Sequence, residues 1–269
     1  MDLIKNEATR LYGILSGRVD TLIGLPTALN VAFATALVPA VSETMAKGDV
    51  KTAKRRITFS IRTTLLIALP CAIGMCVLAE PILNLLFPNV YAAEAPLLLQ
   101  ISSFTIIFTL MNKTVAGALQ GLGKVMVPAI SLGCGAIIKL ILNLLLIRNP
   151  QIGIYGAAIS SVAASLTAMI INLVVLRNKI KLDTNKTQLI LKPILATAFM
   201  GAVAFLSQYY LTTYFIKGRM ATVITILLSV IAYIFAVLSF KIFDRDDYHM
   251  LPFGDKIYKF LQKIKIVKP

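Results

Sequence analysis

The sequence predicts an all-α fold: a polytopic membrane helix bundle with about seven transmembrane helices. Three observations carry that expectation. The chain is 58% hydrophobic with a mean hydropathy of +0.82. Charged residues make up only 14%, against roughly 25% in soluble domains, so a soluble core has too little polar surface to enclose the apolar remainder. Finally, all but two of the 27 Lys and Arg residues lie between apolar stretches or at their ends. The exceptions are Lys113 and Lys139.

The apolar stretches are 21–43, 63–87, 95–119, 126–147, 153–176, 189–211 and 220–241. Each is long enough to cross a hydrocarbon layer of roughly 30 Å as a helix. The first two carry Pro26, Pro39 and Pro70, and the fourth carries Pro128. Proline removes an i→i−4 hydrogen bond, but membrane helices accept it where neighbours satisfy the freed carbonyl. Pro26, Pro39 and Pro70 are therefore hinge candidates. Gly117 and Gly121, then Gly156, Ser160 and Ala164, recur at four-residue spacing and allow helix backbones to approach closely. Two more helices are expected at the membrane surface. One is a basic linker helix over 49–62. The other, over 253–266, has Ile257, Phe260, Leu261 and Ile264 on one face and Lys256, Lys259 and Lys263 elsewhere, a pattern suited to anionic membrane lipids. The chain divides into an external lead-in over 1–19, five transmembrane helices over 20–180, two more over 181–242, and a basic amphipathic tail over 243–269.

The loop charges give an orientation. Counting Lys and Arg on alternate sides, one side holds only Lys5, Arg10, Arg18, Arg148, Lys217 and Arg219, six residues against nineteen on the other. The heavy side is cytoplasmic by the positive-inside rule, which puts the N-terminus outside and the C-terminus inside. An outside start with no apolar leader in residues 1–19 fits the second part of a longer chain. The net charge of +15 is spread over loops and forms no basic face with interleaved aromatics, so no nucleic-acid partner is expected.

Polar residues recur on single helix faces inside the spans. The third span carries Ser102, Thr105, Thr109, Asn112 and Gln120 at spacings of three and four, with Lys113 beside them. The fourth carries Ser131, Gly135, Lys139 and Asn143, each four apart. The first offers Thr27, Asn30 and Ala34, and the fifth Ser161, Ser165 and Asn172. Four such helices predict a hydrated cavity, with Lys139, Lys113, Asn143, Asn112, Asn30 and Thr109 as its substrate-binding candidates. A lysine at mid-bilayer costs about 2.5–3.5 kcal/mol on insertion scales. Helical rise puts Lys113 about 10 Å and Lys139 about 12 Å from the nearer membrane face. The acids Asp20, Glu43, Glu80 and Glu94 fall at span ends, so the cavity is read as cationic and its natural ligand as an anion. Phosphate suits lysine as a point-charge partner.

Other chemistries have little support. His249 is the sole histidine, which removes His-based triads and metal sites. Cys71, Cys76 and Cys134 lie singly in apolar segments and read as packing residues. No catalytic residue, metal or cofactor is expected. A membrane-bound polyprenyl-phosphate enzyme would have to rely on Asp244, Asp246 and Asp247, which read as a solvated stretch. A Schiff-base photoreceptor is disfavoured by the absence of Trp and of a mid-membrane counter-ion.

Several segments resemble the stage V sporulation protein B family: LPTALNVAFATALVPAVSE at 25–43 with the basic loop after it, LAEPILNLLF at 78–87, GALQGLGK at 117–124, IIKLILNLLLI at 137–147 and GIYGAAIS at 153–160. That family sits in the multidrug/oligosaccharidyl-lipid/polysaccharide exporter superfamily with the lipid II flippases. The resemblance covers most of residues 10–180 and implies helices eight to fourteen of a two-lobed, fourteen-helix transporter. The last two spans match the pair beyond the twelve-helix core. It implies a non-enzymatic role: flipping a lipid-linked, undecaprenyl-pyrophosphate-type oligosaccharide or peptidoglycan precursor across the cell membrane by alternating access. The partner it implies is the missing N-terminal lobe, in the same or a separate chain. A drug exporter of the same superfamily is the alternative, and a cationic drug would favour cavity carboxylates.

Overall fold

A computed structural model describes residues 2–87, 93–180, 187–215, 218–240 and 242. Its elements are helices α1 (Asp2–Ile14), α2 (Asp20–Ala46), α3 (Val50–Val77), α4 (Ala79–Leu86), α5 (Ala95–Gly121), α6 (Met126–Leu146), α7 (Tyr155–Lys179), α8 (Lys192–Tyr210) and α9 (Arg219–Ser239). Wider π-helical turns at Leu15–Val19, Thr187–Leu191 and Leu211–Phe215 join α1 to α2 and flank α8. Among the described residues, seven helices are long and apolar enough to cross a membrane, and they match the seven expected stretches. The expected tail helix over 253–266 and the acids Asp244, Asp246 and Asp247 lie outside the described residues.

Three boundaries differ from expectation. The basic segment 49–62 is no separate surface helix. It is the first half of α3, which starts where the Asp49 side chain accepts from the Thr52 amide and runs unbroken to Val77. The helix is continuous even though Pro70 and Gly74, the residues in this stretch that most oppose helix, lie within it. The expected second span ends early, since the backbone leaves helical geometry at Leu78 and restarts as the short α4. The first span begins well before residue 21, because α1 and the π-turn continue into α2. The signal was present: Ile14, Leu15, Val19, Leu22 and Ile23 form a buried stripe at helical spacing.

The turns at one end of the bundle share a device. After α2, Gly48 adopts φ +74° and donates to the Met45 carbonyl, while the Asp49 amide reaches Thr44. After α5, Gly123 (φ +75°) and Lys124 repeat the pattern on Gln120 and Leu119. This crossed pair of bonds satisfies the last helix carbonyls and needs a left-handed residue that only glycine adopts cheaply.

α5 is the central post. It packs against α2, α3 and α7, while α6 leans mainly on α7, and the α8–α9 pair rests through α8 on α3. Small residues set these contacts, as their spacing predicts. A Cβ on Gly117 would stand 2.5 Å from the Ala34 carbonyl oxygen, and one on Gly121 2.7 Å from Val41. On the other side, a Cβ on Gly135 would meet the Ala164 carbonyl at 2.8 Å, and one on Gly156 the Leu146 side chain at 2.7 Å.

Pro26, Pro39 and Pro70 lie inside continuous helices. Pro70 cannot bond the Leu66 carbonyl four residues back. The Tyr233 hydroxyl of α9 donates to that oxygen at 2.7 Å. Arg62, expected in a solvated linker, is instead buried in α3 and donates from Nη1 to the Ile242 carbonyl just past α9 at 3.3 Å. These bonds tie α9 to α3 at two levels.

Candidate functional site

Two faces of α5 carry polar side chains, and their fates differ. On the α2–α3 side, Asn30 Nδ2 donates to the Leu110 carbonyl (3.1 Å) and to Thr114 Oγ1 (3.3 Å). Thr64 donates to Asn30 Oδ1 at 3.4 Å, and the Thr64 and Thr114 hydroxyls pair at 2.7 Å. All three side chains are sealed, with Asn30 only 1% exposed. This knot holds three helices together between two apolar clusters, one around Leu98, Leu99 and Ile106 and one around Ile57, Val115 and Leu119.

On the α6–α7 side, the same helix borders an open cavity of about 570 Å³. α5 supplies Thr105, Thr109, Asn112, Lys113, Ala116 and Gln120; α6 supplies Pro128, Leu132, Gly135, Ala136 and Lys139; α7 supplies Ser161, Ala164, Ser165 and Ala168. Part of each polar face expected on the third, fourth and fifth spans lines this one cavity, while Ser102, Ser131, Asn143 and Asn172 do not reach it. The cavity forms because α6 packs on α7 while hardly touching α5. α6 is the least buried of the spanning helices, and it leaves Ile130, Leu132, Ile137, Leu140, Ile141, Leu144 and Leu145 exposed.

The structure brings four of the six candidates together: Lys139, Lys113, Asn112 and Thr109. Lys113 is half-buried and Lys139 exposed to the cavity. Lys113 lies about 12 Å from the Gly121 end of α5, and Lys139 about 10 Å from the Leu146 end of α6, by helical rise. Because α5 and α6 are consecutive, these are opposite ends of the bundle, so the two ammonium groups guard different levels. Between them Thr109 donates to Ser165 Oγ at 3.2 Å, and Asn112 Oδ1 accepts from Asn172 Nδ2 at 2.6 Å. Asn172 is fully buried behind the wall and fixes the Asn112 amide. The other two candidates are used elsewhere. Asn30 belongs to the sealed knot, and Asn143 accepts a hydrogen bond from Ser160 at the α6–α7 seam.

One lining residue was missed. Asp20, read from the sequence as a span-end acid, lines the same cavity as Lys139. The cavity is therefore not free of carboxylates, and that expectation is corrected. Asp20 follows the π-turn directly, and its amide bonds to the Leu15 carbonyl five residues back. The wider turn rotates the residues after it relative to those before, and such turns concentrate at functional sites.

The family model described as lipid II flippase MurJ matches residues 19–241. The uncharacterized membrane protein YabM of Bacillus subtilis (strain 168) is 31% identical over 278 residues, covering 96% of this chain and 51% of the relative. The lipid II flippase MurJ of the same organism is 26% identical over 233 residues, covering 81% and 41%. Its stage V sporulation protein B is 28% identical over 157 residues, covering 58% and 29%. The chain spans about half the length, or less, of these curated relatives. With seven membrane-crossing helices and membrane-protein relatives, it is a multi-pass membrane protein.

Proposed function

Because the chain belongs to the lipid II flippase MurJ family, we propose that it is the C-terminal lobe of a flippase carrying a lipid-linked, pyrophosphate-bearing glycan across the cell membrane. The observation that carries this reading is the cavity wall, where two lysines and a row of hydroxyl and amide groups share one face inside apolar helices. In that low-dielectric setting each ammonium is a costly charge, which an anionic headgroup compensates. Lys139 and Lys113 take the phosphates, and Asn112 and Thr109 supply hydrogen bonds. Their different levels let the headgroup pass from one ammonium to the other as the carrier changes shape. Flipping makes and breaks no covalent bond, so the protein is a transporter and not an enzyme.

The nineteen-to-six distribution of basic residues supports a cytoplasmic placement of the Lys47–Arg62 end and of the C-terminus, with the N-terminus outside. The basic tail suits anionic lipid headgroups. The cavity is open on one side, and the exposed apolar faces of α6 and of α2, where Leu25, Leu29 and Phe33 stand out, support a partner lobe there. Rocking of that lobe against this one provides alternating access. Asp20 is the observation that favours a second reading, a drug exporter with cationic cargo; two lysines against one carboxylate weigh toward the anion.

The test is binding of undecaprenyl pyrophosphate to the chain in lipid nanodiscs, measured by native mass spectrometry, with tetraphenylphosphonium as the cationic competitor. The proposal expects retention of the pyrophosphate, weakened by Lys139→Ala, and no displacement by the cation. Retention of the cation alone overturns it in favour of the exporter reading.

A further inference from the structure

At the end of the bundle opposite the Lys47–Arg62 loop, a second polar cavity of about 470 Å³ opens between α4, α9 and the end of α8. Small-ligand pockets span roughly 300–1,000 Å³. Three elements line it, each with two polar residues about one helical turn apart. α4 gives Glu80 and Asn84, α8 and its π-turn give Gln208 and Thr212, and α9 gives Arg219 and Thr222. α4 buries Ala79 and Leu83 and leaves Glu80 and Asn84 exposed. Two of the lining residues lack a protein partner. Gln208 Oε1 is buried and makes no hydrogen bond. Thr222 is 4% exposed, and its hydroxyl bonds to none of the described residues. Buried polar groups are normally paired, so both point to a ligand. Glu80 and Arg219 share the cavity, yet the ion pairs among the described residues lie elsewhere, at Arg10–Glu7, Arg10–Glu94 and Lys47–Glu43. Across α4, by contrast, Arg18 is engaged over the Phe87 ring at 5.6 Å. The level of the cavity is marked by Tyr209, Tyr210 and Tyr214. They are exposed, lie beside Gln208 and Thr212 in sequence, and pack ring to ring at 5.7 and 6.2 Å. Tyrosines of this kind sit at the headgroup level of a membrane.

We propose that this cavity holds the headgroup of a zwitterionic, amine-bearing phospholipid of the phosphatidylethanolamine type, its phosphate on Arg219 and its ammonium on Glu80. One cation and one carboxylate give the cavity no net charge. An anionic headgroup would gain from Arg219 and lose to Glu80, whereas a dipolar one is answered at both ends. Guanidinium is suited to phosphate because its planar fork donates to two oxygens at once. A primary ammonium carries three N–H donors. Glu80 and the side-chain oxygens of Asn84 and Gln208 can accept them. A quaternary choline has no such donors and leaves Gln208 Oε1 unsatisfied. Thr222 is left to donate to a phosphate or ester oxygen. A lone phosphate or a lone amine answers only one of the two charges. The acyl chains hold the headgroup at the level of the tyrosines. α9 rests on α4, and the lipid completes that seam. The site is separate from the wall formed by α5, α6 and α7, so it stands whatever cargo that wall carries.

The experiment titrates phosphatidylethanolamine, phosphatidylcholine and phosphatidylglycerol, all with the same oleoyl chains, onto the full chain. Retained lipids are counted by native mass spectrometry. Phosphatidylethanolamine should exceed each of the others by about fivefold, the upper end for an accessible charge pair. Glu80→Gln leaves Arg219 as a lone cation and should turn the preference toward phosphatidylglycerol. Glu80→Ala makes the same charge change should the amide not be tolerated. Arg219→Gln should weaken all three lipids, and Arg219→Lys should keep the order of the parent. Glu43→Gln, at the other end of the bundle, should match the parent. Thermal unfolding checks each variant for folding. Phosphatidylethanolamine should raise the melting temperature of the parent but not of Arg219→Gln, because only a bound ligand stabilises. Soluble phosphoethanolamine at equal concentration should leave the lipid in place. Displacement would identify a soluble zwitterion as the ligand and overturn the lipid assignment. Equal retention of the three lipids by the parent, or a preference that neither Glu80→Gln nor Arg219→Gln alters, overturns the site itself. Binding of undecaprenyl pyrophosphate should be the same in all these variants, so this outcome is read independently of the cavity on α5.

Discussion

Thr114 and Thr109 lie on the same helix, little more than one turn apart, yet they belong to different kinds of structure. Thr114 is 1% exposed and bonded to Asn30 and Thr64. Thr109 lines a cavity of about 570 Å³ and donates to Ser165. The difference lies in what packs against each face. α2 and α3 close tightly on one side of α5, α2 drawn in by Gly117 and Gly121. On the other side α7 holds α6 away from it. A polar residue in a membrane helix serves as glue where a third helix seals it, and as lining where none does.

Loss of the seal should have the largest effect. Gly117→Ala puts a methyl group 2.5 Å from the Ala34 carbonyl oxygen, and overpacking of this kind costs about 3 kcal/mol at the upper end of its usual range. Thermal unfolding in detergent should register it as a marked loss of stability. A melting curve like that of the parent would mean that α2 and α5 are not in close contact.

Asn30→Ala comes next. It removes the donor to Leu110 and Thr114, and interhelical hydrogen bonds in membranes reach about 1.7 kcal/mol. Its partner prediction is that binding of undecaprenyl pyrophosphate, scaled to folded protein, stays unchanged, because Asn30 does not line the cavity. Tyr233→Phe should cost less, about 0.6 kcal/mol, an average bond of this type. It leaves the Leu66 carbonyl, already freed by Pro70, without its hydroxyl donor. Hydrogen exchange at the amides around Leu66–Cys71 should rise in this variant and stay level in Asn30→Ala. Thr109→Ala should be the mildest for folding, within about 0.5 kcal/mol, while weakening ligand binding.

The sequence made the seven spans legible because bilayer thickness imposes a length on any apolar helix, and no tertiary information is needed to see it. Glycine spacing was legible for a similar reason: Gly117, Gly121 and Gly156 have no other use at those positions than close approach. The lining faces of α5, α6 and α7 could be read from periodicity. What periodicity does not hold is the identity of the helix opposite. Asn30 and Asn112 look alike in sequence, each one member of a polar stripe, and only packing separates knot from cavity. Asp20 was hidden for a different reason. The apolar stretch begins at residue 21, so Asp20 read as a charge at the end of the span, whereas α1 and the π-turn continue the helix back past it. Arg62 looked like a loop charge because it adjoins Arg55 and Arg56 in sequence, whereas α3 carries it inward to Ile242.

The contrast between the two faces of α5 is tested most directly by cysteine accessibility. In a background lacking Cys71, Cys76 and Cys134, single cysteines are placed at Thr109 and at Thr114 and exposed in membranes to a charged, membrane-impermeant thiol reagent. Labelling at 109 should be rapid and slowed by undecaprenyl pyrophosphate, and 114 should stay unlabelled with or without it. Equal labelling at both positions, or labelling at 109 that the pyrophosphate does not slow, would contradict it.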